Sequence, residues 1–278
     1  MQTATAAVNS IVPSSPLPKI IFVVVLLVAL YYLYNFLTDT AGLQGMNVLN
    51  AVSTSSPGTP YITKSDGLPA VYEGGELSIN TWVYLNDYSV RNGYNKHLLS
   101  FGGDNFLTCL LYFGPYKNSL SVRIQTKADD KMGGGVDLYT NSVKSIFKNT
   151  VTESSLIDPN TPCDIASVDM QKWVQVTLTL NNKTCDVYID GKLSRSCILP
   201  SFYRVDKVNT NLTLCDNQGF GGYISNVSMY NYALNPEQIW KLYMTGPGPQ
   251  YSLWQYITSL FIPGAAMTLD YPKQNIKP

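Results

Sequence analysis

Few residues in this chain are equipped for chemistry. There is one histidine, His97, and the glutamates are Glu73, Glu76, Glu153 and Glu237. General acid–base catalysis needs a proton carrier set beside a second polar group, and no Ser/His/Asp or Cys/His arrangement is spaced to provide one. His97 opens an apolar run, where a half-buried edge position accounts for it. The five cysteines, Cys109, Cys163, Cys185, Cys197 and Cys215, are too far apart in sequence for a CxxC site, and with a single histidine a zinc centre is not supported. Two disulfides and a free thiol would suit an exported domain, and five thiols a reducing one; both remain open. Sequons stand at Asn182-Lys-Thr, Asn211-Leu-Thr and Asn226-Val-Ser, as acceptors if the domain enters a glycosylating lumen.

The strongest positional signal lies upstream. From Ile20 through Leu27 to Leu37 no residue is charged. A helical run of roughly 18 residues covers about 27 Å, close to the hydrocarbon core of a bilayer. Tyr31, Tyr32 and Tyr34 gather at its C-terminal end, as an interfacial belt would. The apolar stretch exceeds the ~7–15 residues of a signal-peptide core, so it is expected to be a retained single-pass anchor. Lys19 before it and Asp39 after it favour a cytosolic N-terminus.

Lys+Arg and Asp+Glu balance at 19 each, which excludes a basic footprint for nucleic acid. Charged residues make up only 14% of the chain, and there are 20 tyrosines, so the polar surface must come from Asn, Ser, Thr and Tyr. Residues 1–19 read as an arm, 20–37 as a transmembrane helix and 38–71 as a stalk rich in Ser, Thr, Pro and Gly.

After the stalk, side chains alternate with a period of two. Leu77, Ile79, Val83 and Leu85 fall on one face, with Trp82 and Tyr84 on the other. Strands are also expected at 97–101, 106–113, 119–126, 173–180, 212–215 and 222–230. Asp190-Gly191 between strand-like runs predicts a hairpin. A two-residue loop would place Cys185 opposite Ser196, and a three-residue bulged loop would place it opposite Cys197, where a Cys185–Cys197 bridge becomes feasible. Asn235, Pro236 and Gln238 form the capping signature of a helix reaching about Met244. Residues 127–169 lack clear periodicity and read as an insertion. The whole describes an all-β, two-sheet antiparallel sandwich over 72–245, with one transmembrane helix before it and a tail at 246–278. Ser252 to Ile262 in that tail is apolar but too short to span a bilayer.

Four motifs in order resemble the laminin-G-like, concanavalin A-like jelly-roll family. Leu77-Ser-Ile-Asn-Thr-Trp-Val83 resembles its opening strand and Trp173-Val-Gln-Val-Thr-Leu178 an inner strand. Asp186-Val-Tyr-Ile-Asp-Gly-Lys-Leu193 is similar to its hairpin, and Gly221 to Ile239 to its closing signature. The resemblance implies a jelly roll without fixing a ligand. Glycosidases of this fold carry a Glu-x-Asp-x-x-Glu strand with two working carboxylates, and none of the four glutamates here sits in one, so the chain is expected not to be an enzyme. Some relatives hold calcium through aspartates and carbonyls; Asp104 and Asp216, each followed by Asn, could supply oxygen ligands. Lectin relatives imply carbohydrate as a partner, with the 127–169 insertion or the Asp216–Gly222 loop as its place, while Trp82 and Trp173 match framework positions. The remaining implication is structural. Anchored jelly rolls with the Tyr230-Asn-Tyr-Ala-Leu-Asn-Pro-Glu237 ending look like virion proteins of large DNA viruses, where such a chain would tie a membrane to capsid or envelope proteins. A lectin on a cell or virion surface is the alternative, and a glycoside hydrolase the third reading.

Overall fold

The computed structural model describes residues 16–38, 45–50, 52–56, 58–127, 138–150 and 163–248, with backbone alone at 16, 17, 33–38 and 141. The chain forms two compact units, Met1–Leu43 and Gln44–Pro278. The first contains helix α1, Pro16–Thr38, 23 residues long. Pro16 and Pro18 sit in its first turn, where a missing N–H costs no helical hydrogen bond. Its large apolar side chains from Ile20 to Tyr32 are exposed, from 44% at Phe22 to 68% at Tyr32. Among the described residues no helix is long and apolar enough to cross a membrane.

The second unit is a two-sheet antiparallel sandwich. One sheet (sheet A) has the order β1 (Met46–Leu49), β12 (Gly221–Tyr230), β4 (Glu76–Asp87), β8 (Trp173–Asn181), β9 (Thr184–Ile189), β10 (Lys192–Ile198), with β2 (Ser53–Thr54) also on β12. The other (sheet B) has the order β3 (Tyr61–Lys64), β11 (Asn211–Leu214), β5 (Lys96–Gly102), β6 (Leu107–Phe113), β7 (Leu120–Ile124). The alternation read from the sequence holds. Leu77, Ile79, Val83 and Leu85 join Leu178, Leu180, Leu111, Phe113, Leu212 and Ile224 in one core between the sheets. Strand β4 lies in register with β8 from Glu76↔Asn181 to Tyr84↔Trp173, which fixes the inward face of both.

The stalk expectation for 38–71 is corrected. This region supplies β1, β2 and β3, which pair with β12 and β11. Each has only two to four residues, so periodicity has too few points to register. Their pairing partners, more than a hundred residues on, make them strands.

Part of each outer face is covered by the chain itself. On sheet B, helix α2 (Thr140–Lys148), inside the insertion, packs Val143 and Phe147 with Leu138 on Leu110 and Tyr112. On sheet A the cover is helix α3 (Pro236–Thr245) and its flanks. Ile239 and Leu242 are buried, and Tyr243 stacks on Trp82 with ring centroids 5.6 Å apart. The capping box forms as expected, with Asn235 Oδ1 accepting from Gln238 N and Gln238 Oε1 accepting from Asn235 N. Beneath this cover lies a polar layer. Asn80 Oδ1 accepts from Gln175 Nε2 (2.8 Å) and Thr177 Oγ1 (2.9 Å), and Asn226 Nδ2 donates to Gly246 O (2.7 Å) and Gly248 O (2.8 Å).

Phe147 is 1% exposed and meets Tyr112 and His97 edge-on. Phe147→Ala should cost about 3 kcal/mol of unfolding free energy. In hydrogen exchange the α2 amides should lose protection while those of β8 keep theirs.

Candidate binding site

The residues with catalytic potential are occupied elsewhere. Glu73 faces Lys127 at 3.0 Å; the hydrogen bond from Lys127 holds its carboxyl below the usual range against a smaller opposing effect of burial. Glu76 accepts from Ala233 N at 3.0 Å, and Glu237 pairs with Lys241 at 2.9 Å across one turn of α3. Glu153 lies outside the described residues. His97 is buried in β5, not half-exposed as its sequence context suggests. Its Nδ1 lies 3.1 Å from Asp216 N, which can only donate, so Nδ1 is an acceptor and Nε2–H faces Ser100 Oγ at 3.1 Å. The ring is therefore a neutral structural link. Burial brings its pKa down to about 4, with Asp216 opposing the shift and Arg91 adding to it.

Lys96, beside it, is also buried. Its Nζ donates to Pro115 O at 2.9 Å and to Arg91 O at 3.3 Å, and lies 4.2 Å from the centre of the Tyr88 ring. Burial, and then Arg91, lower its pKa to about 8.

Asp104 and Asp216 do not come together. Asp104 follows the Gly102 end of β5 and its carboxylate accepts from Asn209 Nδ2 at 2.5 Å, whereas Asp216 sits past Leu214, which pairs with Leu99 towards the other end of that strand. Asp216 spends its carboxylate on its neighbour, Asn217 N, at 2.7 Å. The Asp216–Gly222 loop is tied down: Arg91 donates to Asn217 O, and Gly219 lies where a Cβ would strike Ser55 O. Among the described residues one group of three or more metal-capable donors assembles, and it consists of sulfur, Cys163, Cys185 and Cys197.

The cysteine pairing is also corrected. The structure bonds Cys163 to Cys197 and leaves Cys185 a thiol. The loop at Asp190-Gly191 has two residues, since Ile189 pairs with Lys192, but β10 bulges between Leu193 and Arg195 and so brings Cys197 opposite Cys185. The cross-strand register for a Cys185–Cys197 bridge is present, but Cys163, from within the insertion, takes Cys197.

The open site lies at the edge of sheet B. A cavity of about 400 Å³ is walled by Leu68, Val71 and Tyr72 after β3, Phe101 of β5, and Val205 and Lys207 before β11. Asp206 builds this corner. Its carboxylate accepts from the backbone N–H groups of Asn105 (2.7 Å), Val208 (3.1 Å) and Phe106 (3.3 Å). Burial alone would raise its pKa, but the hydrogen bonds, led by that from Val208, outweigh it and hold the carboxyl low. Tyr72 is 70% exposed, and Lys207 is exposed with no carboxylate in ion-pair range among the described residues. The wall is apolar, with an aromatic ring and one ammonium within it. No sequence signal marked these residues, because they come from three separate segments.

A family model described as the concanavalin A-like lectin/glucanases superfamily, of laminin-G type, matches residues 56–240. The chain belongs to this superfamily. No curated protein matches it. Solved structures that resemble it in part include the botulinum neurotoxin serotype D ligand-binding domain in complex with N-acetylneuraminic acid, at 16% identity and TM-score 0.47, covering 75% of this chain and 48% of that one. Others are the serotype G binding domain (16%, 0.42, 74% and 47%) and a Trypanosoma rangeli sialidase (13%, 0.37, 64% and 24%). This chain spans about half of these proteins or less.

In this member of the superfamily the three sequons are not equivalent. Asn182 is exposed in the β8–β9 turn. Asn211 is half-buried, with Nδ2 on Asn209 O at 3.1 Å and Oδ1 accepting from Thr213. Asn226 has its amide committed to Gly246 and Gly248.

The His97 geometry sets a pH dependence. Its folded pKa lies below the ordinary 6.5, so the unfolded chain binds the proton first. The stability it contributes is complete above about pH 6.5 and is lost as pH falls towards 4, by on the order of 3 kcal/mol. Chemical unfolding at stepped pH should show this slope, and His97→Asn should flatten it relative to the parent chain.

Proposed function

We propose that this chain is a membrane-anchored, non-catalytic binding module that takes a saccharide at the Tyr72–Lys207 pocket. The observation that carries the reading is a contrast within one domain. The described glutamates and the histidine are engaged in structural contacts, while an exposed tyrosine and an unpaired lysine stand in the wall of an apolar cavity. The apolar face of a sugar ring stacks on tyrosine, and an ammonium favours an acidic substituent on that ring. An acidic saccharide is therefore the ligand class that suits the pocket.

The anchor is supported by the uncharged run from Ile20 to Leu37 within a 23-residue helix, and by the exposure of its apolar side chains. Such a helix satisfies its own backbone in lipid. A buried Cys163–Cys197 bond and an exposed acceptor at Asn182 favour an exported sandwich, in line with Lys19 on the cytosolic side. The narrower form of the proposal is a virion protein of a large DNA virus linking a membrane to capsid or envelope proteins. Its support is the style of the closing signature and the low charge content. A domain facing a capsid in the cytosol would keep its thiols reduced, so the disulfide favours the exported, surface-displayed form.

Two experiments test these parts separately. Full-length chain in detergent should bind acidic glycans on an array, and Tyr72→Ala or Lys207→Glu should weaken that binding about tenfold or more without lowering Tm. Silence across a broad array would remove the saccharide. In detergent phase separation the full chain should enter the detergent phase, and replacing Val24, Leu27 and Leu30 by Asp should return it to water; a parent chain found in the aqueous phase would remove the anchor.

A further inference from the structure

Three of the five cysteines meet in one place. The Sγ atoms of Cys163, Cys185 and Cys197 all lie within 4.8 Å of one another, and all three residues belong to the core between the sheets. Cys163 is bonded to Cys197. Cys185 stands directly opposite Cys197 on the neighbouring strand and is a thiol. Cys197 therefore has two sulfur partners within reach, one across the β9–β10 ladder and one at the start of the segment that pairs with the β7 edge through Ile165 and Leu120.

We propose that these three residues form a two-state thiol–disulfide site in which Cys185 is the exchange nucleophile. The Cys185 thiolate attacks Cys197 Sγ. The Cys185–Cys197 bond forms as the Cys163–Cys197 bond breaks, and Cys163 leaves as a thiolate that takes up the proton Cys185 gave away. Each side of the exchange holds one disulfide and one thiol, so the step needs no oxidant or reductant. The tie moves from a pair separated by 34 residues to one inside a single hairpin. Closing the longer loop constrains the unfolded chain more, which favours Cys163–Cys197 as the resting state.

The surroundings hold that state in place. Burial pushes the Cys185 thiol well up, and Cys109 and Asp186 push the same way, so the thiolate is scarce. Exchange must wait for local opening. Strand β10 is suited to it, since it ends sheet A and, among the described residues, its ladder partner is β9 alone. Opening there wets Cys197 and Cys185 together and leaves the central strands β4 and β8 paired.

The test is disulfide mapping of the full-length chain equilibrated in a glutathione redox buffer, quenched with acid, alkylated and digested. The parent chain should yield both crosslinked peptides, Cys163–Cys197 in excess over Cys185–Cys197. The Cys163→Ser chain keeps four of the five cysteines. It should form Cys185–Cys197 and lose two of the four alkylation adducts seen after full reduction, leaving those on Cys109 and Cys215. Cys185→Ser should retain Cys163–Cys197 and so reports that the fold and the oxidation are intact. A Cys163→Ser chain alkylated at all four positions, beside a Cys185→Ser chain that keeps its bridge, would overturn the proposal. So would a Cys185→Ser chain that forms no bridge.

Discussion

A two-sheet sandwich has one interior and two outer faces, and in this chain neither outer face can be left to water. On sheet B the outer face carries Leu110 and Tyr112, apolar surface that is costly to hydrate. On sheet A it carries Asn80, Gln175 and Thr177, joined by the hydrogen bonds that Gln175 Nε2 and Thr177 Oγ1 donate to Asn80 Oδ1 in a buried layer under the closing segment. Covering these faces explains two features with little meaning alone: a helix inside the insertion, and a capped helix after the last strand whose exit is clamped by Asn226.

The same covering decides where a ligand can be met. With α2 on one outer face and α3 on the other, the described sandwich is open at its edges and loop ends. One loop end is closed by Arg91, His97 and the Asp216–Gly222 loop acting on one another. The corner held by Asp206 remains, where backbone donors converge on one carboxylate and leave Tyr72 and Lys207 outward.

How much of this could be read from the sequence depends on whether the determinants were local. The inward set Leu77, Ile79, Val83 and Leu85 was legible because a long strand repeats its period several times. The Asn235–Gln238 capping box was legible because all its partners lie within four residues. Strands β1 to β3 were not, being too short to show a period and made into strands by β11 and β12. Helix α2 was not, because Val143, Ile146 and Phe147 supply barely one turn of apolar pattern and the reason for helix is the surface beneath. The hairpin near Cys185 was legible to the residue that it faces, but the covalent partner of Cys197 came from within an unpatterned stretch. The pocket was illegible for the same reason, since Leu68, Phe101 and Lys207 are neighbours only in space.

Lys96 carries a consequence of its own. Carbonyl oxygens of Pro115, Arg91, Tyr94 and Gly114 turn toward its ammonium, and the Tyr88 ring closes one side. Converging carbonyls are the donor set that a hard cation would choose. Here the positive charge is tethered to the backbone it organises. The β4–β5 and β6–β7 connections thus have a built-in counterion that dialysis and chelators cannot strip. Burial brings the pKa of that ammonium down to about 8, so in mild alkali it gives up its proton earlier than an exposed lysine would.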